Sequence, residues 1–226
     1  MKIIYLGHAG FVVQGSLTII IDPFLTGNPV ATIRPDELRA DLVLVTHGHQ
    51  DHMGDAAEIA RYTGSTVVSV VELANYLARQ GVKTHGMNIG GSHDFHGVKI
   101  KLLPAWHSSG IGDGPAEYLG TPCGFLIQVD GKTIYHSGDT GLFGDMELIG
   151  RLHPIDLALL PIGDNFTMGP EDAFEAVKML KPKMVIPMHY STWPLIRQEP
   201  LTFKNEVESA TSSKVVVIKP GESYEL

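Results

Sequence analysis

The sequence predicts one α/β domain built as a four-layer αββα sandwich, two sheets face to face with helices outside. Three observations lead there. Short β-branched runs separated by Gly or Ser recur along the chain, hairpin signals occur in both halves, and from residue 41 onward glycine-closed helical segments alternate with strands. A chain of 226 residues suits a single such domain over residues 1–226, with enough length to bury a large interior.

The elements follow in order. "KIIYL" (2–6), "GFVVQ" (10–14) and "LTIIID" (17–22) read as a meander. Residues 22–40, with Pro23, Pro29 and Pro35, read as irregular. "DLVLVT" (41–46) is a near-continuous apolar run, as for a strand covered on both faces. A helix is expected over 54–64, a strand over 65–70, and a helix over 72–81 that ends at Gly81. "SHDFHGVKI" reads as strand and turn, and a strand over 98–105 precedes a long glycine-rich loop at 106–122. Asp130-Gly131 joins two strands in a hairpin. Helices near 145–153, 170–181 and 200–211 alternate with strands at 156–161, 183–188 and 214–218.

Composition narrows the function. The chain is 43% hydrophobic and 19% charged, as an ordinary globular protein is. No stretch approaches the roughly 18–20 apolar residues that span a bilayer. The opening "MKIIYLGHAGFVV" is broken by Gly7, His8 and Gly10 and is followed by no small-residue cleavage site, so a cytoplasmic location is expected, with no membrane partner. Cys123 is the single cysteine, which excludes an intramolecular disulfide. A net charge of −8 argues against a nucleic-acid partner. It leaves room for a small anionic substrate, because bound metal ions make an acidic site locally positive.

Eleven histidines stand in this chain, and three of them fall with two aspartates in "THGHQDHMGD", residues 46–55. The run directly follows an expected strand. Three other expected strands lead to His107, Asp139 and His189, so one rim of a sandwich can gather all of them on rigid supports. His47 and His49 are two apart and share a side of an extended segment. Asp51 and His52 are adjacent and serve a different point in space, which suggests a second ion. Imidazole and carboxylate without thiolate fit Zn²⁺, Mn²⁺, Fe or Ni²⁺.

"HGHQDH" matches the H-x-H-x-D-H signature of the metallo-β-lactamase superfamily. The later His107, the aspartate of "SGDT" and the histidine of "PMHY" occur in that family's order. Essentially the whole chain, including "LGHAGF" and "IDPF", resembles the small metal-dependent hydrolases similar to L-ascorbate-6-phosphate lactonase. The resemblance implies two divalent ions per chain, with Zn or Mn favoured over Ni or Fe. His47, His49 and His107 would hold the first ion, Asp51, His52 and His189 the second, and Asp139 would bridge them. It further implies a nucleophilic water or hydroxide between the ions, and Asp22 orienting a ligand histidine. Asp51, Asp139 and His8 are the residues it places in catalysis, His8 against the alternative of a structural hydrogen bond. His136 reads as a buried, satisfied histidine. His85, His93, His96 and His153 read as surface or interface residues, and Cys123 as buried apolar filling.

The expected function is a metal-dependent hydrolase acting on a small substrate, a lactone, ester or phosphodiester. The resemblance also implies a homo-oligomer. Two alternatives are a non-catalytic metal sensor and a di-iron redox enzyme on the same fold. Relatives of the latter kind carry H-x-E-x-D, where this chain has His49. The loop at 106–122 is expected to wall the substrate cleft.

Overall fold

The computed structural model describes residues 1–112 and 117–226. The chain opens with the expected meander, β1 (Lys2–Gly7), β2 (Gly10–Gln14) and β3 (Thr18–Ile21). The proline-rich segment that follows is irregular but for a 3-10 turn at Pro35–Glu37. Next come β4 (Leu42–Leu44), the single-turn α1 (Gln50–Met53), α2 (Ala56–Thr63), β5 (Thr66–Val70), α3 (Val71–Ala78) and β6 (Thr84–Met87). The second half begins with β7 (Ser92–Phe95), β8 (Val98–Pro104), β9 (Gly110–Ile111) and β10 (Glu117–Tyr118). It continues with β11 (Cys123–Val129), β12 (Lys132–His136), α4 (Asp145–Leu152), β13 (Leu157–Pro161), α5 (Pro170–Leu180) and β14 (Met184–Met188). It closes with α6 (Pro200–Ala210), β15 (Lys214–Val215) and β16 (Ser223–Glu225).

These strands make the expected pair of large sheets. One has the order β16-β1-β2-β3-β4-β5-β6, the other β15-β14-β13-β12-β11-β8-β7. Most strands are apolar on both faces because both faces are covered. In β11, Phe125 and Ile127 join Phe11, Ile21 and Leu44 of the first sheet in the central core. Leu126, between them in sequence, turns the other way with Tyr135, Ala158 and Leu160, under Met146, Val177 and Phe203 of the outer helices. That alternation, period two on both sides of one sheet, is what creates four layers.

The topology also sets where polar loops gather. β3 and β4 run parallel, as do β12, β13 and β14. β1 and β8 are each separated from one of these by a single antiparallel strand and so run the same way. Their C-terminal ends meet at one rim. Two backbone hydrogen bonds join the sheets there: Cys123 N–H donates to Thr46 O at 3.0 Å, and His189 N–H to His8 O at 2.6 Å.

Three expectations need correction. The histidine run is not extended. Residues 47–48 form a bend, His49 caps α1, and Asp51 and His52 sit on α1, because Thr46 N–H leaves the sheet ladder for the Asp22 carboxylate at 2.8 Å. The stretch expected as one loop over 106–122 contains the β9–β10 pair, and its residues 113–116 lie outside the described residues. Near its ends the stretch packs on the histidine motif: Gly48 N–H donates to Ser109 Oγ at 3.0 Å, and Leu119 lies so close over Gly48 that a Cβ there would collide with it. The last expected strand shortens to Lys214–Val215.

Candidate metal centre

Each proposed ligand reaches the rim from a different support. The segment after β4 delivers His47 and His49, α1 delivers Asp51 and His52, and β8, β12 and β14 lead to His107, Asp139 and His189. All seven lie in three overlapping groups whose ligand atoms fall within 4.8 Å of one another. His47, His49 and His107 form one group; Asp51, His52 and His189, with His8, form another; Asp139 joins His47 and His52 in the third.

In the first group, His47 Nε2 lies 3.0 Å from His49 Nδ1, and His107 Nε2 lies 3.3 Å from the same atom. Three ring nitrogens thus point at one place. The tautomer of His47 is dictated from behind. The Thr46 hydroxyl donates to Asp22 Oδ2 at 2.7 Å, so it accepts from His47 Nδ1–H at 2.9 Å, which leaves the Nε2 lone pair facing the centre.

The second group is built around carboxylates. His52 Nδ1–H donates to Asp22 Oδ2 at 2.8 Å. Its Nε2 lies 3.1 Å from Asp139 Oδ2, and His189 Nε2 lies 2.9 Å from that same oxygen. These contacts are short but misaligned for hydrogen bonding. Four of the five buried side-chain polar atoms without a hydrogen-bond partner among the described residues are here: His52 Nε2, Asp139 Oδ1 and both ring nitrogens of His189. Buried polar atoms normally find partners, and leaving one without costs about 1–3 kcal/mol. A cation resolves three of them, His52 Nε2, His189 Nε2 and Asp139 Oδ1, and the imidazole and carboxylate donors suit a divalent transition metal. No lysine or arginine pairs with Asp22, Asp51 or Asp139 among the described residues; the basic side chains that meet them there are histidines.

Burial pushes the imidazoles of His47, His49 and His107 below their ordinary value. They are neutral at pH 7, with lone pairs free. His52 behaves oppositely. Burial opposes its charge, but Asp139 and Asp22 outweigh it and hold its pKa well above the ordinary value. Burial likewise opposes the charge of Asp139, and His189 and His52 hold its carboxyl well below the usual carboxylate range. A raised histidine pKa means that His52 keeps its proton around neutrality without metal and loses it as pH rises through that value. Zinc loading at pH 7 is therefore expected to displace about one proton per chain, from His52, and affinity is expected to rise with pH. Calorimetric titration in two buffers of different ionisation heat reads the proton; identical heats in both would refute this.

The remaining sequence candidates divide clearly. His8 is buried beside Asp51, with Nε2 at 3.1 Å from Asp51 Oδ2. Asp22 contacts both groups as described. His136 is buried and satisfied: Nε2–H donates to Ala9 O at 2.9 Å and Nδ1 accepts from Gly138 N–H at 3.1 Å. His85 and His93 lie with ring centroids 4.3 Å apart, tilted at 36°, near the opposite ends of the strands, away from the rim. Cys123 is buried with Sγ on Thr46 O at 3.3 Å and joins no ligand group. Sequence reasoning missed Thr46 and Thr192, both bonded to rim histidines; Thr46 directly precedes His47 in "THGH" and Thr192 lies three residues after His189 in "HYST".

Comparison with known proteins gives this geometry its context. A beta-lactamase superfamily domain model matches residues 18–190, from the start of β3 to just past His189. A UPF0173 metal-dependent hydrolase of Pelotomaculum thermopropionicum is 68% identical over 228 residues, covering all of both chains. The solved structure of Igni18, a metallo hydrolase of the archaeon Ignicoccus hospitalis, superposes with TM-score 0.91 at 43% identity over 100% of this chain and 98% of that one. An isothiocyanate hydrolase from Delia radicum gut bacteria shares the fold at TM-score 0.78 and 23% identity, over 100% and 99% of the two chains. No helix among the described residues is long and apolar enough to cross a membrane. With identity of this depth running along the whole chain, it belongs to the UPF0173 family of metal-dependent hydrolases, within the metallo-beta-lactamase superfamily.

Proposed function

We propose that the chain is a binuclear hydrolase of small molecules, with His47, His49 and His107 on one ion, Asp51, His52 and His189 on the other, and Asp139 shared. The observation that carries this reading is the convergence of partnerless buried atoms, His52 Nε2, His189 Nε2 and Asp139 Oδ1, between two histidine groups. Zinc or manganese is favoured, by family resemblance, among the divalent metals that these donors fit. When bound, such ions supply a water acidified towards neutrality and polarise the bond to be cleaved.

The protein's own groups do the rest. Asp22 and Thr46 fix the tautomers that turn imidazole lone pairs inward. Asp139 is buried, whereas Asp51 is more open, with 28% of its side chain exposed, and faces arriving water and substrate. His8 stands beside it. The two sheets hold these groups before substrate arrives, so little reorganisation is needed at the moment of reaction.

A small anionic lactone, ester or phosphodiester is the substrate class we favour. The exposed Arg197 lines a cavity of about 280 Å³ with Thr192 and Trp193, which both touch the His8 ring. Exposed Trp106 and Leu195, on the segments after β8 and β14, offer apolar surface at the same rim. They also support self-association of the chain, which light scattering tests.

Metal analysis of protein purified without added metal, then an ester, lactone and phosphodiester panel with zinc or manganese restored, tests the proposal. Uptake of about two ions and metal-dependent turnover is the expected result. A plateau at one ion, or turnover that survives complete chelation, would overturn it.

A further inference from the structure

We propose that Thr192 and His8 form a bracket that positions Asp51 for the second ion, His8 acting through Asp51 rather than as a metal ligand. The inference rests on the two-ion reading and adds to it a role for two residues.

The bracket begins with the backbone. His8 sits in the turn between β1 and β2 at φ +57, His189 at φ +53 and Ser191 at φ +56. Non-glycine residues in this region persist where the surroundings over-determine them. Here they do: His8 O accepts both His189 N–H at 2.6 Å and the Tyr5 hydroxyl at 3.0 Å. The ring is held as firmly. It lies 4.0 Å from the His189 ring and 4.9 Å from that of Trp193, and it is fully buried.

Both ring nitrogens are committed. Nε2 lies 3.1 Å from Asp51 Oδ2 and Nδ1 lies 2.8 Å from Thr192 Oγ1. An ionised carboxylate only accepts, so the hydrogen on that side belongs to His8 Nε2. In the neutral ring Nδ1 is then bare, and the Thr192 hydroxyl donates to it. The chain of donors runs from Thr192 O–H to His8 Nδ1, and from His8 Nε2–H to Asp51 Oδ2. Asp51 needs such help more than the other ligands do. It stands on the four-residue α1, is half-buried, and His52 and His189 are each 4.0 Å away. A carboxylate left free there swings into water. A metal-ligating His8 would require the opposite arrangement, with Nε2 bare and Nδ1 protonated, so the two roles differ by one observable proton.

Zinc titration of wild type, Thr192→Val, Thr192→Ser and His8→Gln, with circular dichroism as the folding control, tests the bracket. Thr192→Val is expected to weaken the second zinc by about 10–100-fold, the usual cost of losing an outer partner of a ligand. The first zinc, on His47, His49 and His107, should be unchanged. Thr192→Ser keeps the hydroxyl and should restore wild-type affinity. His8→Gln keeps an N–H at the Nε2 position but has no Nδ1, so adding Thr192→Val to it should cost nothing further. Nitrogen-15 NMR of the zinc-loaded protein should find His8 protonated at Nε2. A bare Nε2 with a protonated Nδ1, or an unchanged second affinity in Thr192→Val, would overturn the bracket. Failure of wild type to take up zinc at all would overturn the two-ion reading instead, and the His8 proton read on the metal-free chain would still decide the bracket.

Discussion

Asp139→Ala is expected to weaken both metal sites together and to lower hydrolysis by at least the 10²–10⁴-fold order that positioned proton and water activation contributes. The carboxylate is the common neighbour of the two groups. Its Oδ2 lies 2.9 Å from His189, 3.1 Å from His52 and 3.6 Å from His107, while Oδ1 has no hydrogen-bond partner among the described residues. On the two-ion reading proposed above, removing it would take a donor from both ions and leave their mutual repulsion unscreened. Asp51→Ala should behave differently, because Asp51 groups only with His8, His52 and His189. That variant should keep about one ion, on His47, His49 and His107.

Asp139→Ala should also change proton release. Without Asp139, burial regains weight against the charge of His52, so zinc loading should displace fewer protons than in wild type. Folding should survive, since Asp139 contacts histidines at the rim and contributes nothing to either core cluster. Metal stoichiometry on both variants, with calorimetric proton counting, makes the measurement. Two ions bound at wild-type affinity in Asp139→Ala would show that it is no bridge.

Both aspartates were singled out in "HGHQDH" and "SGDT" from the sequence, and most of the framework was legible there too. Local signals carried it: the apolar runs of β4, β11, β13 and β14, the Asp130-Gly131 turn, and Gly64, which closes α2, whereas α3 ends at Ala78, short of the expected Gly81. What escaped is non-local. β6, "THGM", has a central glycine and no alternation, and it exists because β5 offers it a parallel edge. β16 is three residues that cross back to β1. α1 looked like extended chain because the force that bends it, the Asp22 carboxylate on Thr46 N–H, comes from 24 residues earlier. The same holds at the site. Ligands announce themselves by type and spacing, but the partners that orient them do not: Thr192 lies 184 residues from the His8 ring it contacts. A hydroxyl beside a motif is common in any sequence, and only the fold shows which imidazole it reaches.

Asp22→Asn is the sharpest probe of that hidden layer, with an expected destabilisation of the metal-free protein of about 3 kcal/mol and a loss of affinity at both metal sites. Asp22 is fully buried and accepts three hydrogen bonds, from Thr46 N–H at 2.8 Å, the Thr46 hydroxyl at 2.7 Å and His52 Nδ1–H at 2.8 Å. Asparagine is the fair substitute for the backbone, because Asp22 sits at φ +44, a region that Asn tolerates. It fails chemically. An amide offers one oxygen where three donors converge, so its NH₂ must face at least one of them. A chain of this size should lose roughly 6–12 °C in melting temperature for that cost. The metal effect follows by two routes: His52 loses its direct partner, and His47 loses the Thr46 hydroxyl that was held in acceptor orientation. Each route is expected to cost about 10–100-fold in affinity at its own ion. Thr46→Val separates them, since it cuts the path to His47 and leaves His52 bonded to Asp22. If Asp22→Asn weakened one ion only, and Thr46→Val weakened neither, Asp22 would serve His52 alone and the two halves of the centre would be oriented independently.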